Sequence, residues 1–302
     1  MSARPASGRP QLLALLLTPL LLGGCSGLAL LDALTPNTGY RLESAIAYGA
    51  HPRQRLDLYR PEPPVARAPV VVFFYGGNWR QGERGQYRFV GQALSSRGML
   101  VVIPDYRLYP QAGFPIFVED GAQAVAWVLA NLAEGTSAPV FLMGHSAGAH
   151  IAALLATDRH YLRDAGADPG QLAGFVGLAG PYDFLPLSSD YLRTLFGPPE
   201  RYPLSQPVRF VAGGEPPALL LHGGDDTTVR PRNSLSLAER WAAAGGQVEL
   251  QLYPDLGHAA LLAALAPVAR GLAPTLEAIV DFVRRRGAAT EAARRRAAPA
   301  PG

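Results

Sequence analysis

Two kinds of hydrophobic pattern recur along the chain. In the first, apolar residues run almost without interruption: "APVVVFFYGG" (68–77), "GMLVVIPDYR" (98–107), "APVFLMGHS" (138–146), "LAGFVGLAGPYD" (172–183) and "PPALLLHGGDD" (216–226). Runs of this length, rich in β-branched and aromatic side chains, suit strands covered on both faces of a parallel sheet. In the second, apolar and polar residues alternate, as in "QRLDLYRP" (54–61) and "QVELQLYP" (247–254). The first of these predicts a half-exposed strand, the second a strand at the sheet edge. Helices are predicted over 84–97, 118–133 and 147–157, and a last amphipathic helix carries Leu276, Ile279, Val280 and Val283.

Strands alternating with helices imply an α/β fold, an open and mostly parallel sheet with helices on both faces. In such sheets ligands bind beyond the carboxyl ends of the strands. The chain shows no internal repeat and no second core. One irregular region, 184–216, carries Phe184, Tyr191, Phe196, Tyr202 and Phe210 among prolines. It reads as a short cap insertion, packed on the sheet and walling a pocket.

Composition narrows the chemistry. With 302 residues, 48% hydrophobic and 17% charged, the chain can bury one large core. It has no lysine, so its 27 basic residues are all arginine. That excludes a Walker-A phosphate loop and a pyridoxal Schiff base, and no cofactor is implied. A single cysteine excludes an internal disulfide and a cysteine-rich zinc site, and no metal site is expected. The net charge of +3 comes from arginines at the two ends, including Arg284, Arg285, Arg286, Arg294, Arg295 and Arg296. The central body is mildly acidic, which argues against nucleic-acid partners. Residues 287–302 read as a disordered arginine-alanine tail.

The N-terminus reads as an export signal. Arg4 and Arg9 precede "LLALLLTPLLLGGCSG", an apolar run broken by Pro19 and too short for a comfortable transmembrane helix. It ends in Leu22-Gly23-Gly24-Cys25, which resembles the lipobox of bacterial lipoproteins. The resemblance implies a leader over 1–24, lipidation of Cys25 and a lipid-anchored protein of the cell envelope. Residues 25–39 then read as a tether and 40–286 as the catalytic domain.

Candidate chemistry gathers at predicted strand ends. Ser146 in "GHSAG" lies where a buried strand turns abruptly into a helix, and Gly144 and Gly148 let the two pack closely. Such a turn projects the serine hydroxyl at the sheet rim and points the Ala147 amide into the pocket. "YGGNW" (75–79) ends an earlier buried strand, and its backbone amides can approach a substrate carbonyl. Of the six histidines, His145 and His150 are too near the serine in sequence, while His258 follows the last alternating strand and can swing over the rim. The carboxylate that orients it is sought after the penultimate strand, where "HGGDDTTV" (222–229) offers Asp225 and Asp226.

Together these segments resemble the α/β-hydrolase superfamily, carboxylesterase branch, with its hormone-sensitive-lipase-like, feruloyl-esterase-like and kynurenine-formamidase-like members. The likeness covers about 40–286 and rests on "YGGNW", "PDYRLYP", "GHSAG", "HGGDDTTV" and the Gly257-His258 pair. It implies a triad of Ser146, Asp226 and His258, with the amides of Gly77, Asn78 and Ala147 as oxyanion hole. Trp79 and Tyr182 are candidate pocket residues. Asp105 and Arg107 match a motif that supports the fold. Two departures stand out: Tyr75 replaces the family's histidine before the glycines, and Asn78 stands where many relatives have a third glycine. The stretch before residue 70 is too short for the large N-terminal cap of some relatives. The implied function is hydrolysis of small carboxylic esters through an acyl-enzyme. An amidase or arylformamidase, or a non-catalytic binding protein of the same fold, are the alternatives.

Overall fold

The computed structural model describes residues 24–133 and 138–297. Residues 1–23, nearly all of the expected leader, and the last five residues lie outside the described residues. In chain order the main elements are α1 (Gly24–Ala33), β1 (Tyr40–Ala47), β2 (Arg55–Pro61), β3 (Val70–Phe74), α2 (Arg88–Ser95) and β4 (Leu100–Pro104). Then come α3 (Ile116–Val128), β5 (Val140–His145), α4 (Ala147–Thr157), α5 (Arg159–Asp164), β6 (Leu172–Leu178) and α6 (Asp190–Leu195). The chain closes with β7 (Ala218–Gly223), α7 (Arg232–Ala243), β8 (Val248–Tyr253), α8 (His258–Ala263) and α9 (Thr275–Ala297).

Among the described residues the strands form one eight-stranded sheet in the order β1-β2-β4-β3-β5-β6-β7-β8. The β1–β2 and β2–β4 pairs are antiparallel, and every later neighbour pair is parallel. This is the α/β-hydrolase fold that the sequence led us to expect, with β8 at the edge. The uninterrupted apolar strands β3, β5, β6 and β7 are buried along their whole lengths. Burying one Val, Leu or Phe side chain contributes roughly 1.5–3 kcal/mol, so this central block is the main apolar store of the fold. On α9, Leu276, Ile279, Val280 and Val283 are all buried, joined by Phe282.

Three segments differ from their sequence reading. β2 is not half-exposed: Leu56, Asp57, Leu58 and Tyr59 are all buried. Its polar face is covered because Asp57 pairs with Arg84 at 2.8 Å, and Ser95 of α2 donates to the Tyr59 carbonyl at 3.1 Å. Residues 25–39 are not a plain tether, since α1 occupies most of them and buries Leu31. The arginine-alanine stretch continues α9 to Ala297 rather than fraying at residue 287. Alanine is the best helix former, and Glu291 and Arg295 lie one turn apart with 3.6 Å between their charged groups.

Candidate active site

Sheet order brings the predicted residues to one rim. β3 and β5 are neighbours with Phe74 opposite Gly144, so the loops that follow them emerge side by side. Ser146 follows β5 in a left-handed conformation, φ 56° and ψ −124°, which a non-glycine residue adopts only at a cost of roughly 1–3 kcal/mol. Close packing enforces the turn. A Cβ on Gly148 would overlap the Phe74 carbonyl, and one on Gly144 would overlap the Gly148 carbonyl. The Ser146 N–H donates to the Leu178 carbonyl of β6 at 2.9 Å, and Ala147 opens α4.

The loop after β3 is shaped to approach that serine. A Cβ on Gly76 would lie 3.0 Å from Ser146 Cβ. Gly77, Asn78 and Trp79 all have positive φ, at 124°, 53° and 57°. Asparagine tolerates this region better than most residues, which explains how Asn78 can stand where relatives have glycine. The Gly77 carbonyl turns into the loop and accepts from Arg80 and Gln81, each at 3.1 Å. In a trans peptide the N–H lies opposite the C=O, so the Asn78 N–H faces away from these two donors.

Beneath the loop, Tyr75 fills the position of the family's histidine. It stacks between Tyr87 (5.1 Å between centroids) and Tyr106 (4.8 Å), and its hydroxyl donates to Asp105 at 2.7 Å. Asp105 also accepts from the Arg84 side chain at 2.5 Å, and Arg53 donates to the Tyr75 hydroxyl at 2.8 Å. Arg107 makes its ion pair with the buried Asp120 at 2.7 Å. Of these groups only Tyr87 reaches the cavity wall described below; Tyr75, Asp105, Arg84 and Arg53 hold the floor of the loop.

The acid and the histidine come from the loops after β7 and β8, which are laced together. Gly224 N–H donates to Tyr253 at 2.7 Å and Asp225 N–H to Leu256 at 3.2 Å. Of the two candidate acids, Asp226 meets the histidine. His258 Nδ1–H donates to Asp226 Oδ2 at 2.7 Å, which leaves Nε2 with its lone pair free to act as a base. The other carboxylate oxygen accepts the backbone N–H groups of Thr228 and Val229, both at 2.9 Å. Burial alone would raise the Asp226 pKa, but hydrogen bonds from His222 and His258 and the nearby His258 charge outweigh it and hold the carboxyl well below its ordinary range. Asp225 is exposed.

Two histidines other than His258 belong to this arrangement. His222, fully buried, lies 3.3 Å from Asp226 Oδ2 through Nε2. The same Nε2–H donates to the Val229 carbonyl at 2.8 Å, so Nδ1 accepts from Ser234 Oγ at 2.7 Å. His145 donates from Nε2 to the His258 carbonyl at 3.2 Å, and the two rings lie 4.7 Å apart. Burial, with the neighbouring His258 ring second, pushes the His145 pKa down to about 3. His145 is therefore a neutral strut under the His258 backbone. The signal for His222 was its place four residues before Asp226 at a strand end. For His145, adjacency to the serine concealed the role.

Ser146 and His258 line one cavity of about 390 Å³ together with Gly76, Gly77 and Asn78. Neither Trp79 nor Tyr182 lines it. Trp79 is buried edge-on against His150 (5.2 Å) and Phe196 (5.1 Å). Tyr182 is fully buried against Phe175. The segment 184–216 supplies no lining residue of this cavity; instead it braces the glycine loop, through the Trp79 cluster and through Tyr191, whose hydroxyl donates to the Asn78 carbonyl. Cys25 falls in the first turn of α1.

Comparison with known proteins places the chain in a family. The BD-FAE profile matches residues 56–241, more than half of the chain. The chain belongs to the BD-FAE family of α/β-hydrolases. It is 31% identical over 263 residues to a probable isoprenylcysteine alpha-carbonyl methylesterase of Arabidopsis thaliana, covering 79% of this chain and 55% of that protein. It is also 31% identical over 236 residues to esterase LipC of Mycobacterium tuberculosis, covering 70% and 58%. The chain thus spans just over half the length of these curated relatives. Among solved structures, esterase B of Lactobacillus rhamnosis superposes with a TM-score of 0.74 at 21% identity, covering 93% of this chain and 98% of that one.

Proposed function

We propose that this BD-FAE member is a serine carboxylesterase that works through an acyl-enzyme. Ser146 Oγ attacks the ester carbonyl while His258 Nε2 takes its proton, and Asp226 steadies the imidazolium that forms. The oxyanion is bound by the N–H groups of Gly77, Asn78 and Ala147, each donor worth roughly 3 kcal/mol in the transition state. Collapse of the tetrahedral intermediate expels the alcohol, which receives the proton from His258. Water then attacks the acyl-enzyme with His258 again as base, releasing the acid and restoring Ser146.

The observation that carries this reading is the 2.7 Å His258–Asp226 hydrogen bond beside a cavity whose wall contains both His258 and Ser146. The relatives named as esterases, covered more fully than the kynurenine formamidases, support ester rather than amide substrates. The test is turnover of p-nitrophenyl butyrate, with N-formylkynurenine as the amide comparison. Ser146→Ala is expected to lose activity by more than about a thousandfold with an unchanged melting curve. Activity retained in that variant rejects the assignment.

Export and lipidation at Cys25 complete the proposal. They rest on Leu22-Gly23-Gly24-Cys25 after a basic and apolar leader, and on Cys25 being the only cysteine. Expressed with its leader in a bacterial host, the protein is expected to partition into detergent, and Cys25→Ser to remain in the aqueous phase. Equal partitioning of the two rejects the anchor.

A further inference from the structure

The cavity beside Ser146 has two unlike sides. One is polar backbone, the glycine loop at 76–78. The other is aliphatic, and much of it comes from an unexpected source: Leu28 and Leu31 of α1 join Leu262 and Ala263 of α8. Leu28 and Leu31 are three residues apart, so they share one face of their helix. Leu31 is buried and Leu28 is partly buried against the core.

α1 is fastened rather than draped. Arg88 opens α2, and its guanidinium donates to the carbonyls of Asp32, where α1 is ending, and of Thr35 (3.1 Å), and to the Asn37 side chain. A cation at a helix C-terminus meets the carbonyls the helix leaves unpaired and the negative end of its dipole. In return Asp32 Oδ1 accepts the Phe89 N–H at 3.1 Å, and Thr35 donates to the Leu31 carbonyl at 2.7 Å. Gln86 and Tyr87, just before Arg88, line the same cavity. The clamp therefore ties the aliphatic wall to a segment of the site itself.

We infer that α1 is the specificity wall of this site, and that Leu28 and Leu31 bind an aliphatic chain attached to the scissile carboxyl group. The inference rests on the esterase reading above and deepens it: the substrates are esters with an extended aliphatic acyl or alkoxy group. A volume of about 390 Å³ falls in the range of roughly 300–1,000 Å³ typical of small-molecule sites, enough for such a chain beside the ester. Leu28, only partly buried, is the position at which side-chain size meters chain length.

The test compares two substrate series. In p-nitrophenyl acetate to decanoate the acyl chain grows; in methyl to octyl acetate the alkoxy chain grows. Leu28→Trp fills the subsite and is expected to lower the kcat/KM ratio of the long to the short substrate at least tenfold in one series. Leu28→Ala shifts the length optimum of that series upward. Arg88→Met, which releases the clamp without entering the cavity wall, flattens the same length profile. The series that responds assigns the chain to the acyl or the alcohol side. Wild-type turnover with length profiles unmoved in both series by folded Leu28→Trp and Leu28→Ala overturns the inference and leaves the esterase reading standing. No wild-type turnover in either series sinks both.

Discussion

The two halves of the site orient their catalytic groups differently. On the β3 and β5 side, steric contact does the holding: Gly144, Gly148 and Gly76 sit where a single added carbon would strike backbone or Ser146. On the β7 and β8 side close packing recurs at Gly223, where an added Cβ would overlap the Leu256 carbonyl, but hydrogen bonds orient the catalytic groups. Asp226 is gripped by two backbone amides and the His258 imidazole, with His222 Nε2 3.3 Å away, and His258 is steadied through its own carbonyl by His145. A sterically defined turn tolerates almost no change in side-chain volume. A hydrogen-bonded side chain loses orientation while the fold survives, so the packed glycines should fail in folding and Asp226 and its partners in catalysis.

The largest effect expected on the hydrogen-bonded half is from Asp226→Asn, which leaves His258 Nδ1–H without its charged acceptor. A fall of about 10⁴-fold in kcat is predicted, with a native melting curve, while Asp225→Asn stays near wild type. Steady-state kinetics of the two variants side by side check this. On the steric half, Gly148→Ala is predicted to cost at least about 4 kcal/mol in urea unfolding, because rigid Phe74 backbone occupies the space. A folded, active Gly148→Ala protein would break the contrast between the halves.

Acid should unsettle the buried imidazoles. His145 and His150 have pKa values pushed by burial to about 3 and about 4, below the value near 6.5 of an unfolded chain. Between those values the unfolded chain binds protons that the folded chain refuses. Stability from both residues is therefore fully present above about pH 6.5 and is lost as pH falls, by about 2 kcal/mol for each at pH 5. Urea midpoints at pH 7.5 and pH 5 measure the loss, and His150→Gln should remove about half of it. A midpoint unchanged across that interval contradicts the assignment of neutral struts.

The smallest effect is predicted for His222→Gln. Removing the imidazole that lies 3.3 Å from Asp226 and holds the Val229 carbonyl should lower kcat about tenfold, with KM little changed. A positioning role also predicts that the pH profile of kcat shifts, whereas mere loss of packing would lower stability and leave that profile in place.

This division between the halves also decided what could be read from the sequence. Steric constraint leaves small residues in a local string, and "GHSAG" and "YGGNW" announce themselves between buried strands. The mostly parallel sheet followed from the alternation of strands and helices, and the expected pairing of Asp226 with His258 from motif order and the fold it resembles. Hydrogen bonds between distant segments leave no such string. His145 and His222 looked like bystanders because their partners, the His258 carbonyl and the Ser234 hydroxyl, are set by the fold. α1 was hidden for a related reason. Gly24, Ser26 and Gly27 are poor helix formers, and a ten-residue helix depends on tertiary support, here from Arg88 more than fifty residues away. β2 misled because its buried Asp57 is polar, and its burial is tolerable only because Arg84 and the Ala45 N–H satisfy it.

Whether Ser146 is the nucleophile can be asked without any substrate preference. An alkyl p-nitrophenyl phosphonate reacts with an activated serine, forming a stable phosphonyl ester and releasing p-nitrophenol. After digestion, the added mass should be found on the peptide containing Gly144-His145-Ser146, with one equivalent of p-nitrophenol released per chain and strong slowing in His258→Ala. No label, or label on a residue other than Ser146, would contradict the account at its centre.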